Sequence, residues 1–274
     1  MNKKIVVIII FLLIITVAAI VAFLSVPSFY NQEIKLPQYI SKVEKITINN
    51  GMTIERKMGS WCSKEDDFYP VNTDVVDALI ENLRRAALYA EKYVGEHEEK
   101  DEIDLVDEEG NVLKLSFNEI NGHTSEIVAL NNGQKTLLKG DFAIPAQPYQ
   151  WFEQPLLKLN NSDIEEISGV EPGDFSFDDL LFYQATKNND FAEWMTRQIN
   201  VVLKNGLTIK LIVYTRGHSY WVSLNLGTTV MPTKDADEFV KNNGFLYDGW
   251  FFELPQPVGN RLFGTIDEND YIPR

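Results

Sequence analysis

The sequence predicts an α+β protein in which an amino-terminal transmembrane helix precedes hairpin-rich antiparallel sheets with a few packed helices. Three observations support this prediction. A long apolar run begins near the amino terminus, Asn-Gly pairs separate segments of alternating hydrophobicity, and one long stretch carries apolar residues at helical spacing. The chain of 274 residues is 45% hydrophobic, which is enough to form a substantial core.

The apolar run covers residues 5–24, with Thr16 as its polar member. Twenty helical residues rise about 30 Å, which matches the hydrocarbon thickness of a bilayer. The run is long for a signal peptide and the following "FLSVPS" is a poor cleavage site, so we interpret it as an uncleaved anchor. A cleaved signal peptide is the alternative. Lys3 and Lys4 favour a cytoplasmic amino terminus, with residues 1–4 as a short tail and the bulk of the chain extracytoplasmic.

Residues 25–42 follow the anchor and are interpreted as a stalk. Beyond them, the pairs Asn50-Gly51, Asn132-Gly133 and Asn205-Gly206 predict β-hairpins. Because Asn and Gly both tolerate positive φ, these pairs are expected in type I′ turns. Alternating apolar residues on both sides of the turns favour strands with one buried face.

One long helix is predicted in "NTDVVDALIENLRRAALYAEKY", where Val76, Leu79 and Leu83 fall on one face and Asn72 or Thr73 caps the start. Short helices are expected in "DFSFDDLLFYQ" and "DADEFVKNN". The segment "PYQWFEQPLL" favours a single helical turn at most.

The chain also contains an internal similarity. "NNGMTIE", "GSWCS" and "YPVNTDVVDALIENL" recur in the same order as "KNGLTIK", "SYWVS" and "MPTKDADEFVKNN". The interpretation is a first α+β module at 43–170, a linker at 171–189 and a second, related module at 190–274. Convergence of common hairpin and capping signals is the alternative.

The stretches "ITINNGMTIERKMGSWCS", "FYPVNTDVVDALIENLRRA" and "GDFAIPAQPYQWFEQPLLKLNNSDIEEI" suggest a family. Over 43–170 the chain resembles the domain of unknown function 4340 family. The resemblance implies an envelope protein anchored in the bacterial inner (cytoplasmic) membrane, with subunits of a gliding-type ABC transporter as partners. It implies no catalytic residues.

Composition disfavours several classes of function. The formal net charge of −15 repels phosphate backbones, so nucleic acid is not an expected partner. Cys62 is the single cysteine, which excludes an internal disulfide and thiolate metal clusters, and we interpret it as a core residue. The three histidines, His97, His123 and His218, lack metal-ligand spacing. No phosphate-binding glycine motif occurs, so neither nucleotide nor cofactor is expected.

Aromatic residues are the remaining candidates for a binding surface. "YDGWFFELP" is interpreted as a core strand in which Trp250 and Phe252 face inward, while Phe251 and Glu253 face outward. Trp151 and Phe152 lie in a proline-bracketed loop. Together with Phe251, they are the residues expected at a ligand or partner surface. Acidic runs such as "KEDD" are expected to be solvated faces.

These features favour a non-enzymatic, membrane-anchored interaction module that acts as an accessory component of a transporter. An envelope glycan- or solute-binding protein is the alternative. A hydrolase that uses a pair of carboxylates is a third hypothesis, which predicts paired carboxylates in an open cleft.

Overall fold

The computed structural model describes residues 36–48, 51–93, 101–117, 122–131, 133–188 and 190–264. The predicted anchor at 5–24, the tail before it and residues 25–35 of the predicted stalk lie outside this range. Within the described residues, no helix has the length and apolar character needed to cross a bilayer. The described chain is α+β, with antiparallel sheets and few helices, as the sequence predicts.

The first sheet contains nine antiparallel strands in the order β4-β3-β2-β1-β6-β7-β8-β9-β5. The strands are β1 (Val43–Ile48), β2 (Thr53–Lys57), β3 (Ser60–Ser63), β4 (Tyr69–Pro70), β5 (Glu91–Lys92), β6 (Asp101–Asp107), β7 (Val112–Phe117), β8 (Gly122–Asn131) and β9 (Gln134–Ile144). Both edge strands are only two residues long, which leaves little free backbone for pairing with another chain.

Two helices accompany this sheet: α1 (Leu36–Ile40) and α2 (Thr73–Ala87). The sequence predicts the start and the buried face of α2, but the helix ends at Ala87 and Glu91–Lys92 of the predicted segment form β5. The Asn72 side chain caps α2 by accepting a hydrogen bond from the Asp74 backbone. In contrast, α1 falls inside the predicted stalk. Tyr39 and Ile40 are buried, and the Tyr39 hydroxyl donates to the Leu105 carbonyl at 2.7 Å, so the end of that stalk is part of the folded domain.

The second sheet contains six antiparallel strands in the order β10-β12-β13-β14-β15-β11. They are β10 (Ile164–Ser168), β11 (Ala185–Thr186), β12 (Met195–Leu203), β13 (Leu207–Arg216), β14 (Ser219–Thr228) and β15 (Phe251–Leu254). Helix α3 (Lys234–Asn243) follows β14 as predicted, and α4 (Gln256–Phe263) was not predicted from the sequence. Short 3-10 turns occupy Pro148–Trp151, Asn161–Asp163, Pro172–Asp174, Phe177–Asp179 and Gly244–Leu246.

The hairpin turn after β12 lies where the sequence predicts it, but its type is different. Gly206 has φ 85°, whereas Asn205 does not have the positive φ that a type I′ turn requires. The Gly206 backbone N–H donates to the Leu203 carbonyl at 2.8 Å, so a tight turn ends in a left-handed glycine. Gly51 and Gly110 make the same bond to Ile48 and Asp107.

Strand pairing divides the chain differently from the predicted modules. Residues 164–168, expected at the end of the first module, form β10 and pair with β12. Residues 185–186, expected in the linker, form β11 and pair with β15. After α2 the chain forms β5, which pairs with β9 at the edge of the first sheet, and then β6, which pairs with β1. The strand that follows α3, β15, instead pairs with β14.

A single hydrophobic core extends across both sheets. At its centre the Tyr69 ring makes edge-to-face contacts with four aromatic rings. They belong to Phe152, Phe182, Trp250 and Phe252. The prediction for "YDGWFFELP" is confirmed, because Trp250, Phe252 and Leu254 are buried while Phe251 and Glu253 are partly exposed.

Candidate functional site

Two of the three predicted surface residues lie in the core. Trp151 and Phe152 are 0% and 2% exposed, and the Phe152 ring lies 5.2 Å from that of Phe182. Gln154 in the same loop anchors it to Phe182. Its side chain donates to the Phe182 carbonyl and accepts a hydrogen bond from the Phe182 N–H. Trp151 and Phe152 are therefore packing residues and present no ring at the surface.

Phe251 lies on the outer face of the second sheet, within a group of partly exposed rings. We call this group the outer aromatic cluster, and its members are Phe191, Trp194, Tyr214, Trp221 and Phe251. Phe191 is central, with its ring 4.6 Å from Phe251 and 5.6 Å from Trp221. The segment before β12, which contains Phe191 and Trp194, thus folds back over the sheet and covers part of its outer face.

An open cleft of about 710 Å³ lies beside this cluster, between segments that belong to the two sheets. We call it the inter-sheet cleft. Its side chains of greatest chemical interest are three carboxylates, two tyrosines and an amide. They are Glu65, Asp66, Glu253, Tyr149, Tyr183 and Gln184. Since Glu253 pairs with Trp221 across β14 and β15, the cleft and the outer aromatic cluster share one face of the second sheet.

The loop between β3 and β4 places two of the carboxylates. Asp67 and Phe68 have φ of 50° and 65°, a left-handed conformation that is costly for residues other than glycine. The Asp67 carboxylate offsets part of this cost by accepting hydrogen bonds from the Thr186 hydroxyl and the Lys187 N–H, both at 2.8 Å. The loop is therefore fastened to β11, and Glu65 and Asp66 are brought against the second sheet.

Asp66 is the most deeply buried of the cleft carboxylates, with 7% of its surface exposed. It accepts hydrogen bonds from the Ser63 hydroxyl and from the Ala185 N–H at 2.9 Å. Burial raises the pKa of the Asp66 carboxyl, although both hydrogen bonds oppose the shift. The expectation that "KEDD" is a solvated face is wrong for this residue.

The other two carboxylates are more accessible. Glu65 accepts a hydrogen bond from the Thr53 N–H at 2.7 Å, which orients it at the rim. Partial burial raises the pKa of the Glu253 carboxyl, and a hydrogen bond from the Gln184 side chain opposes that shift. The rings of Tyr149 and Tyr183, which also line the cleft, lie 5.2 Å apart.

These groups suit the binding of a polar ligand. Acidic oxygens and side-chain amides form directional hydrogen bonds, and the tyrosine rings provide flat apolar surfaces. No group of three or more His, Cys, Asp or Glu side chains among the described residues could hold a metal ion. Cys62 is buried, and burial raises the pKa of its thiol, which agrees with a packing role.

No histidine is among the described residues that line this cleft. His218 contacts the Gln256 side chain through its Nδ1 atom at 3.3 Å. The side chains of His97 and His123 are not within the part of the chain that the structure describes.

The chain matches no protein-family model, and comparison with curated proteins and with solved structures yields no significant match.

Sequence reasoning missed most of the cleft, because its lining residues come from five separate segments of the chain. Alternation predicts Glu253 on the outward face of its strand, and Glu253 is partly exposed there. Asp66 could have been noticed, since the three acidic residues Glu65 to Asp67 lie between a buried strand and Phe68-Tyr69, which is an unusual place for a solvated run. Nothing local connects Asp66 to Glu253.

Proposed function

We propose that the protein is a membrane-anchored, extracytoplasmic binding module of the bacterial cell envelope that performs no chemistry of its own. In this proposal the inter-sheet cleft holds a solute or the end of a glycan, and the module serves an ABC transporter as an accessory component. The observation that carries the proposal is the cleft itself. Its volume of about 710 Å³ lies within the range usual for small-molecule sites, and both sheets contribute to its lining.

Location in the membrane is supported by the sequence. The apolar residues 5–24 are long enough to cross a bilayer, and Lys3 and Lys4 favour a cytoplasmic amino terminus. The resemblance to the domain of unknown function 4340 family supports the transporter as a partner.

The two sheets are proposed to derive from related α+β modules, with the cleft at their junction. In each sheet an antiparallel meander is followed by a strand that carries a tryptophan, then a proline and a helix. The different positions of β6 and β15 mean that the modules differ after their helices.

Binding is favoured over hydrolysis because each cleft carboxylate already accepts a hydrogen bond from the protein. The donors come from Thr53 for Glu65, from Ser63 and Ala185 for Asp66, and from Gln184 for Glu253. Such bonds fix carboxylates as recognition groups. A carboxylate-dependent hydrolase is the second candidate, favoured by the raised pKa of Glu253 and Asp66 in an open cleft.

The test uses the full-length protein in detergent micelles and a panel of sugars, amino acids and amines, with binding followed by calorimetry. We expect at least one ligand to bind, and we expect Gln184→Trp to abolish that binding because the larger side chain fills the cleft. Glu238→Gln on α3 is the matched surface control, since Glu238 does not line the cleft.

Mass spectrometry of the recovered ligand separates the two candidates. An unchanged ligand supports a binding module, whereas cleavage that Glu253→Gln prevents supports the hydrolase. Binding that survives Gln184→Trp would place the ligand elsewhere and refute the proposal.

A further inference from the structure

The charged side chains that line the inter-sheet cleft are all acidic. Its lining includes the carboxylates of Glu65, Asp66 and Glu253, and no lysine or arginine is among the described residues that line it. Phosphates and other anions are therefore repelled from the cleft, while a cation is attracted to it.

Asp66 is a buried carboxyl without a positively charged partner among the described residues. Its carboxylate is buried, yet both of its hydrogen-bond donors, the Ser63 hydroxyl and the Ala185 N–H, are neutral. The charged side chains that act on it are Glu65 and Asp67, which are themselves acidic. Buried charges in proteins are normally paired with an opposite charge. Asp66 has no such counterpart among the described residues, and a cationic ligand in the cleft would provide one.

The cleft selects an organic cation over a metal ion. A metal needs several ligands that converge on one point, and the described carboxylates form no such group. The cleft is much larger than an ion, and the Tyr149 and Tyr183 rings form part of its wall. The Tyr183 side chain is 45% exposed, so its ring is accessible to a ligand. Aromatic faces attract ammonium groups through their quadrupole.

We propose that the inter-sheet cleft binds a small organic cation that carries ammonium groups, either a free amine or an amino sugar. Asp66 and Glu253 provide the opposite charges, and Tyr149 and Tyr183 provide the aromatic wall. This inference rests on the proposed binding function and names the chemical class of its ligand.

The experiment compares probes that differ in their amines, again with the full-length protein in micelles and with calorimetric detection. The probes are spermidine, a glucosamine trisaccharide and the N-acetylated form of the same trisaccharide. We expect an amine-bearing probe to bind and the acetylated sugar not to bind, because acetylation removes the charge. The preferred amine shows whether the source is a free solute or a glycan. Raising the salt concentration should weaken binding, since screening reduces the attraction.

Variants test the assigned residues. Glu253→Gln should weaken amine binding about tenfold, a change of about 1.4 kcal/mol, and Glu238→Gln should leave it unchanged. Tyr183→Ala should also weaken amine binding. Because Tyr183 is exposed, this variant should fold even if Glu253→Gln does not, so the inference can still be tested. Circular dichroism confirms that each variant is folded.

Two outcomes would overturn the inference. One is equal binding of the acetylated and free amino sugars, and the other is amine binding that neither Glu253→Gln nor Tyr183→Ala affects. If neutral sugars bind and Gln184→Trp blocks them, the ligand class is wrong while the proposed function stands. If no probe or panel ligand binds, both fail.

Discussion

Asp66 and Asp67 are neighbouring carboxylates whose pKa values shift in opposite directions. Burial raises the pKa of Asp66, while hydrogen bonds from Lys187 and Thr186 lower that of Asp67. The free energy of unfolding that Asp66 contributes therefore falls as pH rises from the ordinary pKa of an aspartate through the raised pKa of Asp66 in the folded state. Asp67 adds stability above its ordinary pKa, and this stability is lost as pH falls through its lowered folded pKa.

The two asparagine variants are expected to change stability with opposite signs. At neutral pH and without ligand, Asp66→Asn should raise the free energy of unfolding, because an amide can still bond to Ala185 and Ser63 without a buried charge. Asp67→Asn should lower it by about 1 kcal/mol, since charge-assisted hydrogen bonds become neutral ones. Urea titrations from neutral pH into acid measure both effects. The Asp66 effect should disappear below the ordinary aspartate pKa, whereas the Asp67 effect should disappear only as pH falls through its lowered folded pKa. A loss of stability in both variants at pH 7 would contradict this account of Asp66.

At the scale of elements, helix α2 shows how a local signal becomes part of the core. Val76, Leu79 and Leu83 are buried, and the Asn72 side chain accepts a hydrogen bond from the Asp74 N–H at 3.0 Å. Asn72→Ala should lower the free energy of unfolding by about 1 kcal/mol because an N–H at the helix start loses its partner.

Asn72→Asp is the matched control for the cap. An aspartate oxygen accepts the same bond and its charge suits the helix amino terminus, so stability should stay close to that of the wild type. Urea denaturation of the two variants gives the comparison. Equal destabilisation by alanine and aspartate would show that Asn72 acts through something other than its cap.

The sequence predicts those features of the fold that depend on a pattern within a single helix, strand or turn. Alternation and the cap at Asn72 locate strands and α2, and the Asn-Gly pair at 205–206 locates its hairpin even though the turn type differs. Partners between distant strands leave no such local pattern. The pairing of β10 with β12 depends on packing of the whole core, and so does the approach of Asp66 to Ala185 across 119 positions. The cleft could not be predicted for the same reason.

At the scale of the molecule, the two sheets share a core and are joined by two kinds of contact. Aromatic rings meet around Tyr69, and the Asp66 and Asp67 carboxylates accept hydrogen bonds from the backbone of Ala185 and Lys187 at and beside β11. In addition, the Tyr247 hydroxyl donates to the carbonyl of Leu156, in the segment that connects the two sheets, at 2.9 Å. Separating the sheets would expose these rings and leave polar groups unpaired. The sheets should therefore unfold together, which keeps the cleft walls in fixed positions for a ligand.

Hydrogen exchange on the full-length protein in micelles tests this coupling. Peptides from β7 in the first sheet and β13 in the second should lose protection at the same urea concentration. Tyr69→Ala should lower the free energy of unfolding by about 3 to 5 kcal/mol, the usual effect of removing a large buried aromatic side chain. It should also let the two sheets lose protection at different urea concentrations. Tyr69→Phe keeps the ring and should preserve the joint transition. Separate transitions in the wild type would mean that the sheets are independent, and the cleft between them would then not be the preorganised site that binding requires.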